Sequence, residues 1–397
     1  MFYVALKMLM GDRAKYLGLL LGISFTAFLV TFAGCYFAGF MTRGFALISE
    51  NSSADVWVMN PAVDSAALTT NMPDSALQRV RSVEGVQHAV PLMLGDVDVH
   101  FPNGRFQSFQ VIGVDNATLA GAPFLVNGAS PEVLRAPDAV IVDAGGTSGK
   151  LQTPLRKIDQ WPHDGVHLDV PTRELMPGDE LLANGRRIVV EGRSKTIPRF
   201  PPRPLLYTTY SNAARILPAA MNLLTFVMVS RQPGISAHQL AQRIEQRTGL
   251  RARTTDDFKK DTVRWYLINS EDVGDIVTML VLAMTVGFGV TGVMLYMFTY
   301  ENLRQYAVLK AMGTSRRTLL SMIFFQASVC AFLGAGIGIG LCALIGAGAA
   351  TIDFPFRMMW FTPLLGVLGV LIISLAAALI SIRPVLTLEP GVVFSGR

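Results

Sequence analysis

Long uncharged segments alternate with charged ones along this chain, and the pattern predicts four membrane spans. Residues 16–42, 276–300, 318–348 and 358–382 contain no Asp, Glu, Lys, Arg or His. Each segment exceeds the roughly 20 apolar residues that an α-helix needs to cross a bilayer. The sequence therefore predicts an α-helical membrane protein with four transmembrane helices.

The first 15 residues place apolar side chains beside Lys7, Arg13 and Lys15. This combination predicts an amphipathic helix on the cytoplasmic face of the membrane. A cleaved signal peptide is the alternative, but the uncharged run that follows is longer than the apolar region of such a peptide. Lipidation at Cys35 is also disfavoured, because Phe32 stands where a lipobox has an aliphatic residue. The sequence favours an uncleaved first span.

Residues 43–275 show short strands, turns and Pro/Gly-rich links, which predict a large α+β domain inserted between the first and second spans. Strand–helix–strand patterns at its two ends, about 50–117 and 223–256, predict two halves of one lobe. Residues 118–222 then form a second, inserted lobe. We expect residues 256–275 to be a helical stalk that continues directly into the second span.

The charged connection between the second and third spans, residues 301–317, contains Arg304, Lys310, Arg316 and Arg317 against one acid, Glu301. The positive-inside rule places this connection in the cytoplasm. The N-terminus and the C-terminal tail, residues 383–397, then lie on the same side. An odd number of crossings puts the α+β domain and the short loop 349–357 outside.

Residues 303–310 of this connection have helical spacing, and Gly313 predicts the end of the helix. A solvated connector is the simplest interpretation of such a loop. However, Tyr306, Val308, Leu309 and Met312 are apolar. We therefore predict a surface helix that docks against another protein.

Glycine spacing in two spans predicts close helix packing. Small residues four apart let helix backbones approach closely in a bilayer, where apolar burial gives no driving force between helices. The residues concerned are Gly18 and Gly22 in the first span and Gly334, Gly336, Gly338 and Gly340 in the third.

Few residues offer candidate chemistry. His163, Asp164, His167 and Asp169 have metal-ligand types at close spacing, but without helical periodicity a polar loop is favoured over a metal site. The segment DAGGTSGKL, residues 143–151, lacks the first glycine and the Ser/Thr of a phosphate-binding loop. All three cysteines lie in the apolar spans. The sequence predicts no catalytic residue, metal or directly bound cofactor.

Composition and charge agree with a membrane protein. The chain of 397 residues is 51% hydrophobic and 16% charged, with a formal net charge of +5. Lys and Arg cluster mainly beside the spans, so they indicate topology and contact with membrane lipid rather than nucleic-acid binding. The spans hold no ionisable group for proton or ion coupling. A separate ATPase is the expected energy source.

The run RQYAVLKAMGTSRRTLLSMIFFQA, which starts at Arg304, resembles the cytoplasmic coupling helix of the FtsX-like permease family. This family includes the MacB-type membrane subunits of ABC transporters, and the similarity is greatest to the DevC-like exporter branch. The matching positions are Arg304, Tyr306, Ala307, Lys310, Ala311, Met312, Gly313 and Ser315. Many members have an acid before the aromatic position, where this chain has Gln305.

The resemblance implies a role for this helix and a set of partners. Glu301, Arg304, Tyr306, Lys310, Met312 and Gly313 would form the contact with a cytoplasmic ABC ATPase, which would hold the ATP and Mg²⁺. Two permease copies would form a homodimer in the bacterial inner membrane. The inserted domain would be MacB-like, with a porter-like lobe. A periplasmic adaptor and an outer-membrane channel would complete the complex.

Two functions follow from the resemblance. The first is a non-catalytic permease subunit of an ABC exporter or mechanotransmitter, in which ATP hydrolysis moves the periplasmic domain. The second is an FtsX-like signalling scaffold that regulates a cell-wall hydrolase. A membrane-anchored enzyme is a third possibility, supported only by the cluster from His163 to Asp169. The sequence does not identify a transported substrate.

Overall fold

The computed structural model describes residues 2–11, 13–126, 128–147, 149–156, 165–218, 224–349, 352, 354–382 and 385. The chain divides into two compact units. The helical unit consists of residues Met1–Phe40 and Ser270–Arg397, and the α+β domain consists of Met41–Asn269. The sequence placed these boundaries after residues 42 and 275, a few residues later in each case.

The helices of the described residues lie at Phe2–Gly11 (α1), Arg13–Gly44 (α2), Ala46–Glu50 (α3), Ser75–Arg81 (α4), Tyr210–Ile216 (α5), Ala237–Thr248 (α6), Thr255–Asn269 (α7), Glu271–Glu301 (α8), Leu303–Ala311 (α9), Arg316–Ala349 (α10) and Phe361–Ser381 (α11). The strands lie at Val56–Met59 (β1), Val86–His100 (β2), Phe106–Val114 (β3), Ala139–Asp143 (β4), Gln152–Pro154 (β5), Thr172–Glu174 (β6), Glu180–Ala183 (β7), Arg186–Arg193 (β8), Leu205–Thr209 (β9), Phe226–Arg231 (β10) and Arg251–Thr254 (β11).

Within the described part of the chain, four helices are long and apolar enough to cross a membrane. They are α2 from Tyr16 onward, α8, α10 and α11. The α+β domain lies in sequence between the first and second of them. The structure therefore confirms the predicted fold class of four spanning helices with a large inserted α+β domain.

Side-chain hydroxyls join the spanning helices of the helical unit. Ser381 on α11 donates a hydrogen bond to the carbonyl oxygen of Leu295 on α8, at 2.8 Å, and lies 2.6 Å from the Thr299 hydroxyl. The Sγ of Cys35 on α2 lies 3.3 Å from Oγ1 of Thr362 on α11. These contacts satisfy polar groups that would otherwise lie unpaired in an apolar bundle.

Close helix packing uses only part of the predicted glycine set. A Cβ added at Gly338 would contact the Ser24 carbonyl oxygen and lie 2.6 Å from Cβ of Ala27, so α2 and α10 approach closely there. Gly334 faces Ile23 of α2 in the same way. In the first span, Gly22 faces Val290 of α8, with 2.8 Å between an added Cβ and Cγ1, whereas Gly18 has only a 4.0 Å neighbour, Sδ of Met294.

The prediction that Gly336 and Gly340 bring helices together is wrong for contacts within one chain. A Cβ at either position would meet no atom of the described residues within 4 Å. The reason is the helical period, since residues 334 and 338 share one face of α10, and 336 and 340 point away from it.

The predicted stalk also differs from the structure. Helix α7 ends at Asn269, and Ser270 has extended backbone angles, φ −92° and ψ 124°, before α8 begins. Glu271 and Asp272 occupy the first turn of α8, where carboxylates favour a helix start through the helix dipole. The stalk therefore does not run into the second span without interruption.

In the α+β domain, the two strand–helix–strand units form one antiparallel sheet. β1, α4 and β2 make the first unit, and β10, α6 and β11 make the second. The strand order is β11-β1-β10-β2. α4 and α6 cover one face of the sheet, and the buried aromatic cluster of Trp57, Phe226 and Phe258 lies on the other.

A second group of strands closes on itself. The pairings run β2-β3-β9-β4-β8-β7, and β7 then pairs with the end of β2 through Val99–Ala183 and His100–Leu182. Its interior is apolar and includes Phe109, Val140 and Leu206. The structure thus adds a closed sheet to the predicted second lobe.

β2 belongs to both lobes, which moves the predicted lobe boundary. Its first half, Val86 to Leu92, pairs with β10, and its second half, Met93 to His100, pairs with β3. β3, which the sequence placed in the first lobe, also pairs with β9 and is part of the closed sheet. A single long strand therefore connects the two lobes without a linker.

Candidate coupling site

The connection between α8 and α10 folds as a short helix because specific side chains interrupt the backbone at both ends. Asn302 separates α8 from α9. Its Nδ2 donates a hydrogen bond to the Phe298 carbonyl oxygen at 2.8 Å. Its own carbonyl accepts from the Tyr306 amide at 3.2 Å. The polypeptide thereby leaves one helix and starts the next within one residue.

Gly313 terminates α9 in a left-handed conformation, with φ +91°. The amide of Thr314 donates to the Leu309 carbonyl at 3.1 Å, and the Gly313 amide donates to the Lys310 carbonyl at 3.1 Å. This pair of bonds is the Schellman motif, which favours glycine at this position. Ser315 then caps α10, since its Oγ accepts from the Thr318 amide at 3.3 Å.

The inner face of α9 is fixed by a buried hydrogen-bond chain, which we call the Tyr306 relay. The hydroxyl of Tyr306 donates to Oε1 of Gln326 on α10 at 2.9 Å. Nε2 of Gln326 donates to the carbonyl oxygen of Ala5 on α1 at 2.8 Å. Tyr306 is 0% exposed and Gln326 2%. The relay therefore connects three helices, α9, α10 and α1, in a dry environment.

Apolar side chains surround the relay. Tyr306 belongs to a buried cluster that includes Leu9, Phe298 and Met322 from α1, α8 and α10. Burial raises the pKa of Tyr306 to about 12, while the hydrogen bond to Gln326 acts in the opposite direction. The hydroxyl accordingly stays protonated and able to donate at any physiological pH.

The outer face of α9 is exposed. Arg304, Val308 and Met312 recur at a spacing of four residues and form one stripe on the helix. Val308 is 42% exposed and Met312 69%. Arg316 and Arg317 at the start of α10 are exposed as well. We call the stripe of Arg304, Val308 and Met312 the outer stripe.

The structure separates the residues that the sequence grouped as one contact. Tyr306 was expected to anchor a partner, and this prediction is wrong because the side chain is completely buried within its own chain. Arg304 and Met312 do lie on the outer stripe. Glu301 is exposed at the end of α8, Lys310 is half-buried, and Gly313 forms the exposed turn. Whether these residues touch an ATPase stays a prediction.

A groove lies beside α9 in the helical unit. Its volume is about 610 Å³, and its lining includes Tyr3 and Lys7 of α1 and Glu301 and Gln305 of the connection. It brings a basic and an acidic side chain next to the outer surface of α9. The amphipathic N-terminal helix and the connection thus form one continuous surface, as α1 also packs against α10.

Gln326 is a residue that sequence reasoning missed. It is the one amide side chain in the predicted third span, residues 318–348. A strongly polar group inside an apolar span is costly unless it is paired, so it usually has a structural or functional partner. That isolated amide was the available signal.

The residues considered for metal binding divide between described and undescribed parts of the chain. His163 and Asp164 lie outside the described residues. The backbone of His167 exchanges hydrogen bonds with Asn103, at 3.0 and 2.9 Å. In the described ranges, no group of three or more His, Cys, Asp or Glu side chains could hold a metal ion.

Comparisons with known proteins match the C-terminal part of the chain to a family. Residues 277–390 match the model of the FtsX-like permease C-terminal domain. An uncharacterized ABC transporter permease of Mycobacterium bovis is 31% identical over 124 residues. An uncharacterized ABC transporter permease of Mycobacterium tuberculosis is 29% identical over 128 residues. Each match covers 31% of this chain and 35% of the relative, about a third of the relative's length.

Two solved structures are similar to part of the chain. The periplasmic region of MacB from Actinobacillus actinomycetemcomitans aligns with a TM-score of 0.34 at 11% identity, over 53% of this chain and 94% of that one. The extracellular domain of the noncanonic ABC-type transporter YknZ from Gram-positive bacteria aligns with a TM-score of 0.32 at 11% identity, over 51% and 98%. The predicted similarity to the DevC-like branch stays a prediction.

Proposed function

This chain belongs to the FtsX-like permeases through residues 277–390, and we propose that it is the membrane subunit of an ATP-driven complex that moves its α+β domain. In this proposal the chain catalyses no reaction itself. A separate cytoplasmic ABC ATPase binds ATP and Mg²⁺ and docks on the outer stripe.

The two-faced arrangement of α9 is the observation that carries the proposal. The inner face is bonded to α10 and α1 through the Tyr306 relay. The outer stripe exposes two apolar side chains, Val308 and Met312, between arginines. A helix that is held firmly on one side and exposed on the other can transmit displacement from a docked protein to the bundle. A solvated connector would need neither feature.

The charge distribution supports an external energy source. The uncharged stretch of α8, from Ile276 to Tyr300, has no ionisable acid, Lys, Arg or His, and neither has Thr318–Ile352. Ion-coupled transporters generally place such groups along their path. ATP hydrolysis by a partner is the alternative that fits the family.

Four spanning helices are few for a conduit, so we propose a homodimer with two ATPases in the inner membrane, with the termini in the cytoplasm. In this arrangement the α+β domain is periplasmic and changes state as the ATPases close. A periplasmic adaptor and an outer-membrane channel would receive that motion.

Exposed apolar side chains support the adaptor. Phe106, Leu155, Val166 and Leu168 are all exposed. They belong to segments near the β2–β3 turn, where the backbone of His167 bonds to Asn103. Apolar side chains grouped on a protein surface are typical of a docking site.

Co-purification and ATP turnover test the proposal. Tagged wild-type protein, extracted from native membranes, is expected to retain an ABC ATPase and to stimulate its turnover in nanodiscs. Met312→Asp and Val308→Asp place a charge on the outer stripe and should weaken the association by about 1–3 kcal/mol, roughly 5- to 150-fold.

Met176→Asp is the matched control, because Met176 is similarly exposed, at 57%, but lies in the α+β domain. It should leave ATPase association unchanged. Equal association of wild-type protein and both outer-stripe variants would show that the ATPase does not dock there.

A further inference from the structure

The α+β domain contains a cavity of about 380 Å³ that the coupling function does not use. It lies where the two lobes meet, with Gly95 of β2 and Gln110 of β3 on one side and Tyr266 of α7 on the other. The volume falls in the range of small-molecule sites, about 300–1,000 Å³. Its lining combines cationic, aromatic and aliphatic side chains.

Positive charge dominates the lining. Arg43, Arg199 and Arg203 line the cavity, against one lining carboxylate, Asp96, among the described residues. Asp96 pairs with Arg203 at 3.2 Å. Glu50, which is not in the lining, pairs with Arg199. One positive charge therefore remains in excess of the acids named.

Arg199 provides the second, independent observation. It is 6% exposed, and its Nη2 donates to Glu50 and to the Tyr207 hydroxyl. Its Nε and Nη1 have no hydrogen-bond partner among the described residues. Buried donors of a charged group are rarely left unpaired, and an unpaired one indicates an acceptor that binds there.

The rest of the lining is apolar. Phe200 and Tyr266 meet edge to face, with ring centroids 6.4 Å apart. Leu47 and Leu94 are nearly completely buried beside them. Such a surface accommodates an aromatic or aliphatic body, while the arginines provide the charge-assisted hydrogen bonds that carboxylates and phosphates favour.

We propose that this cavity binds a small organic anion, a carboxylate or phosphate attached to an apolar body. A bound anion bridges the arginines on the segment from Arg199 to Arg203 and packs against Tyr266 of α7. The site thus connects the shared strand β2 to the helix that precedes the second span in sequence. The inference is independent of ATPase docking.

Isothermal titration calorimetry on the full chain in phosphatidylcholine nanodiscs tests the site, with phenyl phosphate as the probe. We expect phenyl phosphate to bind at least about 10-fold more tightly than inorganic phosphate, because only the former fills the apolar part. Benzyl alcohol, which lacks the charge, should bind at least about 10-fold more weakly than phenyl phosphate.

Two variants with matched controls locate the binding. Arg203→Gln should weaken phenyl phosphate binding by about 10-fold or more, because it removes one charged donor. The control Arg231→Gln removes a comparably exposed arginine, which pairs with Asp55 outside the lining, and should change the affinity by less than about 2-fold.

Ala67→Trp should block the cavity, since Ala67 is an exposed lining residue and the large side chain needs no core rearrangement. Ala62→Trp, at an exposed position outside the lining, is its control. Binding of phenyl phosphate by Ala67→Trp as tight as by wild type would overturn the proposal, and so would absence of binding to wild type.

The membrane composition distinguishes two sources of the same chemistry. If phosphatidylglycerol in the nanodisc competes with phenyl phosphate, and native mass spectrometry finds that lipid on wild type but not on Ala67→Trp, the anion is a lipid headgroup. Equal affinity in phosphatidylglycerol and phosphatidylcholine nanodiscs identifies a soluble anion.

Discussion

The hydroxyl of Tyr306 donates a hydrogen bond to Oε1 of Gln326 across 2.9 Å, and both side chains are buried. This contact joins the short helix α9 to the middle of the long helix α10. Because Gln326 also donates to α1, a displacement of α9 is passed to two other helices. We regard the relay as the rigid part of the coupling site and the outer stripe as its contact surface.

Removing the Tyr306 hydroxyl should weaken this joint without creating a large cavity. Tyr306→Phe leaves Oε1 of Gln326 buried without its donor, which costs about 1–3 kcal/mol. We expect a lower unfolding temperature in nanodiscs and a reduced stimulation of ATP turnover. Tyr300→Phe is the control, because Tyr300 is 58% exposed and should change neither quantity.

A double-mutant cycle tests whether the two residues act together. Gln326→Met keeps a similar size but removes both hydrogen bonds. If the relay is a unit, the loss from Tyr306→Phe and Gln326→Met combined should be smaller than the sum of the single losses. Strictly additive losses would show that the two side chains contribute independently.

The glycines of α10 should differ in their tolerance of a large side chain. Gly334→Leu and Gly338→Leu force α10 away from Ile23, Ser24 and Ala27 of α2, and should destabilise the chain by about 1–3 kcal/mol. Gly336→Leu and Gly340→Leu should leave thermal stability in detergent nearly unchanged. Equal destabilisation by all four variants would mean that α10 packs on both faces within the chain.

Glu50 gives a pH-dependent expectation for the α+β domain. Burial raises the pKa of Glu50 above its ordinary value, although Arg199 and the Ile197 amide act in the opposite direction. An acid whose pKa is raised on folding contributes most stability below its unfolded pKa of about 4.3, and this contribution is lost as the pH rises through the folded pKa.

The stability difference between wild type and Glu50→Gln should therefore fall as the pH increases from about 4 to 7. Thermal unfolding followed by tryptophan fluorescence measures this difference at each pH. Glu84→Gln at an exposed position serves as the control. A difference that grows with pH would show that the ion pair with Arg199 outweighs the cost of burial.

Local patterns predicted the elements well, because their signals lie within a few residues. The turn at Asn103-Gly104 separates β2 from β3, and the uncharged runs correspond to α2, α8, α10 and α11. Gly313 also ends α9 as its position indicated. In each case the local sequence and the final structure favour the same conformation.

Non-local features were not predictable in the same way. The pairing of Val99 with Ala183 closes a sheet between strands more than 80 residues apart, and nothing in either strand specifies that partner. The inward orientation of Tyr306 depends on Gln326, 20 residues later. An aromatic residue on an amphipathic helix can anchor a partner or its own core, and only the packing distinguishes them.

The central claim is that an ATPase docks on the outer stripe while Tyr306 holds the opposite face. Site-specific photo-crosslinking in native membranes, with p-benzoylphenylalanine introduced at Met312, tests it most directly. The account predicts a crosslink from this position to an ABC ATPase, identified by mass spectrometry, and no such crosslink from Met176. A crosslink to the ATPase from Met176 but not from Met312 would contradict it.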